Sequence, residues 1–449
     1  MDRKSFLTLV TAMIMAGATP VLAGEREVAP ETSPTATAAD TAGYNRFRFG
    51  GYGEMVASFK DYGINRFAGT STGSTKTKRN TISIPRFVLA FDYKFNSKWV
   101  LGAEIEFESG GTGTAIELEN SENGEYETEI EKGGEVALEQ FHITRLIVPQ
   151  FNVRAGHLIV PVGLTNAHHE PINFFGTVRP QAETALMPST WHETGIEFFG
   201  SFGRRHSRFD YQLMIVAGLN ANGFNRDEWI AGGKQGFFEV DNFTSPGYVG
   251  RLDYTGVPGL RTGVSVYYCR DAGSNSDKEH TYSSIGRIPV AIGTWDAQYR
   301  NSYVTARANV TYGYVGNAAA LSEANRMLSN KSPYSRLIPI AKNALSYGAE
   351  IGLNLRSVIR NNFPVIYPYA RYEYYNPQYR GQGRATMDRR LEVSQWQVGL
   401  NWFALPNLVV KADYTTRQIG TAKVFGKGNY NSENEFSIGV AYIGWFIRK

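Results

Sequence analysis

The chain has 449 residues, and 46 Lys+Arg against 42 Asp+Glu leave a formal net charge of +4, too even a balance to mark a nucleic-acid binder. A mean hydropathy of −0.31 excludes a bundle of apolar membrane helices, and a single cysteine, Cys269, excludes a disulfide framework or a multi-cysteine metal site. Aromatic residues reach 13%, and glycine (47), tyrosine (26) and phenylalanine (26) are abundant, a composition that suits a large β-structure.

At the N-terminus, Arg3 and Lys4 precede an apolar run from Phe6 to Ala18, and Val21-Leu22-Ala23 leads to Gly24. This pattern reads as a secretory signal peptide over residues 1–23, too short to span a membrane. No cysteine follows the cleavage point, so a lipoprotein is not expected. Residues 24–43, rich in Ala, Thr, Pro and Glu, read as a disordered periplasmic spacer. The remainder, 44–449, reads as one domain.

From Tyr44 onward, period-2 alternation dominates. Phe47, Phe49, Met55, Ala57 and Phe59 alternate with Arg48, Tyr52, Glu54, Ser58 and Lys60. About sixteen such segments follow one another, centred near Gly53, Ala90, Ile105, Phe141, Ala155, Phe198, Leu213, Leu252, Val266, Asp296, Ala308, Ile351, Tyr369, Val398, Ala412 and Val440. Their connections alternate. Short ones such as Asn96-Ser97-Lys98, Val257-Pro258-Gly259 and Arg360-Asn361-Asn362 are interleaved with long ones such as Asp61–Asn80, Gly111–Gly133, Leu164–Trp191 and Asn317–Asn343. Lipid offers the backbone no hydrogen bonds, so a sheet that spans a bilayer must close on itself. Bacterial barrels of this kind have an even strand number, short periplasmic turns and long outer loops. The expected fold is therefore all-β: a closed antiparallel transmembrane β-barrel of about sixteen strands in the outer membrane of a Gram-negative bacterium.

Two faces follow from the alternation. Phe87, Leu89, Phe91 and Tyr93, Val304 to Tyr312 at every second position, and Phe436, Ile438, Val440 and Tyr442 are assigned to lipid; Trp99, Trp402, Trp445 and Phe446 are assigned to an interfacial girdle. The opposite face carries charges, among them Arg86, Glu104, Glu106, Arg154, Asp296, Arg307, Glu350, Arg356, Arg371, Glu373, Lys411 and Asp413. Such charges do not belong in a dry core; they suit the aqueous lumen that a barrel of sixteen strands encloses.

Val153-Arg154-Ala155-Gly156-His157-Leu158-Ile159-Val160-Pro161-Val162-Gly163-Leu164, the opening Phe49-Gly50-Gly51-Tyr52-Gly53-Glu54 and the segment Glu193-Thr194-Gly195-Ile196-Glu197 resemble the phosphate-selective porin O and P family. The long loop Leu164–Trp191, with His168-His169-Glu170-Pro171 and Arg179-Pro180, resembles its Bacteroidetes branch. The resemblance implies a sixteen-stranded homotrimeric porin with loops folded into the lumen, and passage of anions, phosphate among them, along basic residues. The positions that would line such a pore are Arg154, Arg179, Arg307, Arg356, Arg371 and Lys411, with Asp296, Glu350, Glu373 and Asp413 as counter-charges on the same faces. Interleaved signs favour weak selectivity, because a focused field needs one sign of charge.

The loop Leu164–Trp191 carries its own apolar residues (Ile172, Phe174, Phe175, Leu186 and Met187) and is expected to fold into the barrel as a constriction. His168-His169-Glu170 lacks further ligand spacing and is not read as a metal site. The second long loop alternates Glu117, Glu119, Glu127, Glu129 and Glu131 with Ile116, Leu118 and Ile130, which reads as a hairpin projecting above the membrane. Ala318 to Met327 reads as a short helix. No nucleotide, hydrolase, zinc or calcium motif occurs, so neither catalytic residues nor a cofactor are expected. The function expected is passive diffusion of small hydrophilic solutes and ions, with lipid and lipopolysaccharide as surroundings. A barrel used for surface attachment is the alternative, and a barrel enzyme a more remote one.

Overall fold

The computed structural model describes residues 46–448, apart from 65–75, 121–125, 189, 236–239, 277–281, 327–338, 361, 384–386 and 421–429. The signal peptide and spacer expected over 1–43 lie outside the described residues. Strands run in the order β1 (Phe47–Ile64), β2 (Lys76–Asn96), β3 (Trp99–Asn120), β4 (Tyr126–Val148), β5 (Phe151–Ile159), β6 (His192–Phe202), β7 (Phe209–Val216) and β8 (Gly247–Tyr254). They continue as β9 (Leu260–Cys269), β10 (Val290–Arg300), β11 (Val304–Val315), β12 (Asn343–Leu353), β13 (Val365–Arg380), β14 (Val393–Leu405), β15 (Leu408–Gly420) and β16 (Tyr430–Arg448). Each pairs antiparallel with its sequence neighbours, and β1 pairs with β16, so the sheet is a closed barrel without a free edge.

The pleat sorts the side chains as the alternation requires. Met55, Phe87, Ile196, Leu213, Val264, Val266, Trp396, Val398, Tyr414 and Phe436 stand exposed on the outside, while Glu54, Arg86, Glu104, Asp296, Arg371 and Asp413 are buried on the inside. An apolar exterior around a closed sheet, with no apolar helix long enough to span a bilayer among the described residues, defines a multi-pass β-barrel of the outer membrane. Turns at the periplasmic end are tied by asparagines. Asn96 Oδ1 accepts from the Lys98 and Trp99 amides at 2.9 and 3.1 Å, and Asn301 Oδ1 accepts from the Tyr303 and Val304 amides at 2.9 and 2.7 Å.

The acidic hairpin follows the sequence reading, and two positions differ from it. β3 and β4 are 22 and 23 residues long, well beyond the roughly 9–11 residues a tilted strand needs to cross. Their excess forms the projecting acidic hairpin, with Glu117 opposite Glu129 and Glu119 opposite Glu127 in the backbone register. β12 stops at Leu353, because Asn354 Oδ1 accepts from the Arg356 amide at 3.2 Å and caps a short helix, Leu355–Ile359. Arg356 is thus not on the inner wall beside Glu350; its Nε donates to the Phe363 carbonyl at 2.7 Å and closes a periplasmic turn. Trp445 is not a girdle residue either. It neighbours Phe446 in an extended strand, so the two side chains diverge, and the Arg48 guanidinium stacks over the Trp445 ring at 4.0 Å on the inner side.

An arginine on the lipid face should be far more damaging than one in a turn. Val266→Arg and Val398→Arg, near the middle of β9 and β14, are expected to cost about 2–4 kcal/mol, and Val257→Arg in the β8–β9 turn roughly 0–1 kcal/mol. Urea unfolding from lipid vesicles measures this, and equal midpoints for the three variants would contradict the face assignment.

Candidate permeation pathway

Between β5 and β6 the chain leaves the wall. Pro161 has no amide hydrogen to donate to a ladder, and the segment 160–191 turns inward through two single helical turns, Leu164–Ala167 and Gln181–Thr184. Asn166 ties the two ends of the segment together: its side chain donates to the Trp191 carbonyl at 3.1 Å and accepts from the Trp191 amide at 2.5 Å. Glu183 closes the fold from inside, accepting from the amides of Leu164 and Thr165 at 2.7 and 2.6 Å and from Asn309 of β11 at 2.5 Å.

The segment is fastened along one continuous arc of the wall, running from β11 through β15 and β1 to β4. On one side, Lys411 of β15 donates to the carbonyls of Pro171, Phe174 and Gly176, the last two at 2.8 Å, and lies 4.4 Å from the Phe174 ring centroid. Asp413 accepts from the Thr177 amide at 2.7 Å, and Glu373 of β13 accepts from the Ala182 amide at 2.9 Å. Phe175 stacks on Tyr369 at 5.2 Å in a space that exists because residue 352 is glycine; a Cβ there would collide with the Phe175 ring. On the other side, Arg86 of β2 donates to the His169 carbonyl at 3.1 Å. The His169 ring reaches Tyr52 of β1 and Glu139 of β4, each at 2.9 Å, and Arg179 lies 3.9 Å from Glu106 of β3.

The inner-wall charges are paired rather than solvated. Arg86 meets Glu54 at 2.9 Å, Arg154 meets Glu197 at 3.0 Å, and Arg251 meets both Asp253 and Asp296 at 2.8 Å. Glu350 takes Arg307 on one oxygen at 2.9 Å and Arg371 on the other at 2.7 Å. The sequence reading placed these groups in water because it could not pair strands; the register brings opposite charges side by side, and each carboxylate replaces the water its arginine would need. Of the cations singled out from sequence, Arg307 and Arg371 come together on Glu350 and line a small cavity with Thr165, His168, Phe174 and Glu373. Arg154 and Arg179 each sit beside a different carboxylate, Glu197 and Glu106, and Arg356 is off the wall.

Sequence reasoning missed an apolar plug. At the outer end of β7–β12 the inner face is Met214, Val216, Val249, Tyr267, Cys269, Val290, Ile292 and Val315, and these pack against Leu186, Met187, Trp191, Phe224, Trp229, Ile230, Ile288 and Leu321 from the connections. Trp229 donates to the Ala341 carbonyl at 2.9 Å and lies against Gly313, where any Cβ would overlap its ring. The available signal was that strand ends such as Leu213–Val216 are apolar at consecutive positions, so both faces need cover. Ala318–Arg326 is helical, as expected.

Two adjacent histidines of the segment are driven in opposite directions. Burial, with Arg261 and Arg251 nearby, pushes His168 well below the ordinary imidazole value. Burial acts the same way on His169, but the Glu139 carboxylate outweighs it and holds that imidazole above its ordinary value. Among the described residues no three His, Cys, Asp or Glu side chains are grouped to hold a metal ion.

Comparison with known proteins agrees on architecture. No protein-family model matches the chain. An uncharacterized protein of Aquifex aeolicus (strain VF5) is 23% identical over 338 residues, 74% of this chain and 70% of that one. Among solved structures, the outer membrane channel DcaP of Acinetobacter baumannii superposes with a TM-score of 0.51 at 10% identity, covering 89% of this chain and 97% of that one. Salmonella typhi OmpF, in a complex with daunomycin, superposes with a TM-score of 0.52 at 10% identity, covering 89% and 98%. The chain has the fold of a porin-type outer-membrane barrel.

Proposed function

We propose that the barrel is a passive channel for small hydrophilic solutes and ions, with the segment 160–191 as its constriction. The observation that carries this reading is a closed sixteen-stranded wall, charged inside and apolar outside, with one segment folded inward and fastened to strands β13, β15 and β1 to β4. Because arginines and carboxylates pair within about 3 Å, their fields cancel beyond a Debye length of about 8 Å. Permeation is therefore weakly selective between anions and cations, and phosphate passes without a dedicated ladder. The unit is a homotrimer, as the family resemblance implies, surrounded by outer-membrane lipid and lipopolysaccharide.

Purified protein in planar bilayers tests this. Stepwise conductance is expected, smaller than that of an unobstructed barrel, with a reversal potential near zero in asymmetric KCl. Micromolar phosphate block that Arg179→Ala abolishes would overturn weak selectivity. Absence of any conductance would favour the second reading, a barrel for surface attachment, which the near-complete burial of the inner wall supports.

A further inference from the structure

We propose that His169 is a positioning residue that, as an imidazolium, latches the constriction to β1 and β4, and that loss of its proton releases this end and widens the passage. The proposal rests on the channel reading and adds a means of setting its aperture.

The protonation state follows from hydrogen-bond demand. His169 Nδ1 lies 3.1 Å from the Asn166 carbonyl, which only accepts, so Nδ1 carries a hydrogen. Nε2 lies 2.9 Å from Glu139 Oε1 and 2.9 Å from the Tyr52 hydroxyl. The Tyr52 hydroxyl has one hydrogen, and it points to Glu139 Oε2 at 3.3 Å. A neutral ring with its hydrogen on Nδ1 would turn a lone pair toward a carboxylate that is fully buried. A second hydrogen on Nε2 turns the 2.9 Å contact into an ion pair and supplies the positive charge that buried Glu139 requires.

The surroundings favour that charge. Glu139 on β4 and Glu170 on the segment act on the ring directly, against Arg179 on the segment; Glu104 and Glu106 on β3 and Arg86 on β2 surround its partner Tyr52 on β1, and His192 on β6 lies near Glu139. A raised imidazole keeps its stabilising contact below the ordinary value of about 6.5 and loses it as pH climbs through the folded value. From Pro171 to Thr177 the segment stays fixed, because Lys411 and Asp413 hold it through backbone groups. The motion is therefore local: the His169 ring and the residues just before Pro171 move away from β1 and β4.

Single-channel conductance between about pH 6 and 9 reads the latch directly. Wild type is expected to rise severalfold along a single titration. His169→Phe should be open and flat with pH. Glu139→Gln removes the counter-charge but keeps the shape, and should shift the rise to lower pH; His206→Asn, in an exposed turn, should titrate like wild type. A pH-independent wild type, or an unchanged midpoint in Glu139→Gln, overturns the latch and leaves the channel standing. An NMR titration of the His169 ring in micelles separates the two readings further. A midpoint above about 6.5 that falls in Glu139→Gln supports the latch even where conductance fails and the channel reading with it; an ordinary midpoint in both overturns it.

Discussion

Glu350→Ala is expected to destabilise the barrel by about 3–5 kcal/mol, the cost of leaving buried cations without their carboxylate. Glu350 is the shared partner of Arg307 and Arg371, on strands β11 and β13 that flank its own. Removing it leaves two guanidinium groups facing each other across β12. Glu373, the other acid acting on Arg371, is already engaged by the Ala182 amide and by Gln395 at 2.6 Å. The same change exposes net positive charge beside the cavity that Arg307 and Arg371 line, so the reversal potential in asymmetric KCl should move toward chloride. Glu350→Gln keeps the shape and should give the same electrical shift with smaller loss of stability. Urea midpoints and reversal potentials that match wild type in both variants would show that the trio is not coupled as drawn.

Lys411→Met should detach the middle of the constriction. One ammonium satisfies three carbonyls of the segment, Pro171, Phe174 and Gly176, and a buried acceptor left without a donor costs about 1–3 kcal/mol. Methionine fills the volume but donates nothing. The barrel's own ladder does not depend on Lys411's side chain, so the damage should be local: faster proteolysis within 160–191 and larger, noisier conductance, with a smaller change in the unfolding midpoint than Glu350→Ala. Unchanged protease resistance would mean that Asp413, Glu373 and the Phe175–Tyr369 stack hold the segment without the lysine.

The placement of the inward segment thus depends on contacts along its whole length. Most of the apolar and charged residues that make those contacts were visible beforehand, but their partners were not. Phe174, Phe175, Leu186 and Met187 announce by composition that 160–191 needs cover. Arg307, Arg371, Glu350 and Lys411 announce by pleat that they face inward. Neither pattern shows that Glu350 bridges two arginines, or that Lys411 spends its charge on backbone carbonyls rather than on a solute.

The amino-acid order alone determined the strand number, the closure of the sheet, the side on which the long connections lie and the face each strand side chain takes, because a two-residue period and lipid's lack of hydrogen bonds are local constraints. It misplaced Arg356, where a capping asparagine ends the strand and overrides the alternation, and Trp445, where the alternation itself turns the ring inward and the girdle assignment ignored it. Glu139 enters the lumen beside Gln140 because the β3–β4 register slips between Glu104 and Ile105, and only there do Tyr52, Glu139 and His169 meet from β1, β4 and a connection. The apolar plug and the paired inner charges belong to the same category. Both are contacts between residues distant in sequence, set by strand register and by where a long segment comes to rest, and neither leaves a periodic trace in the chain.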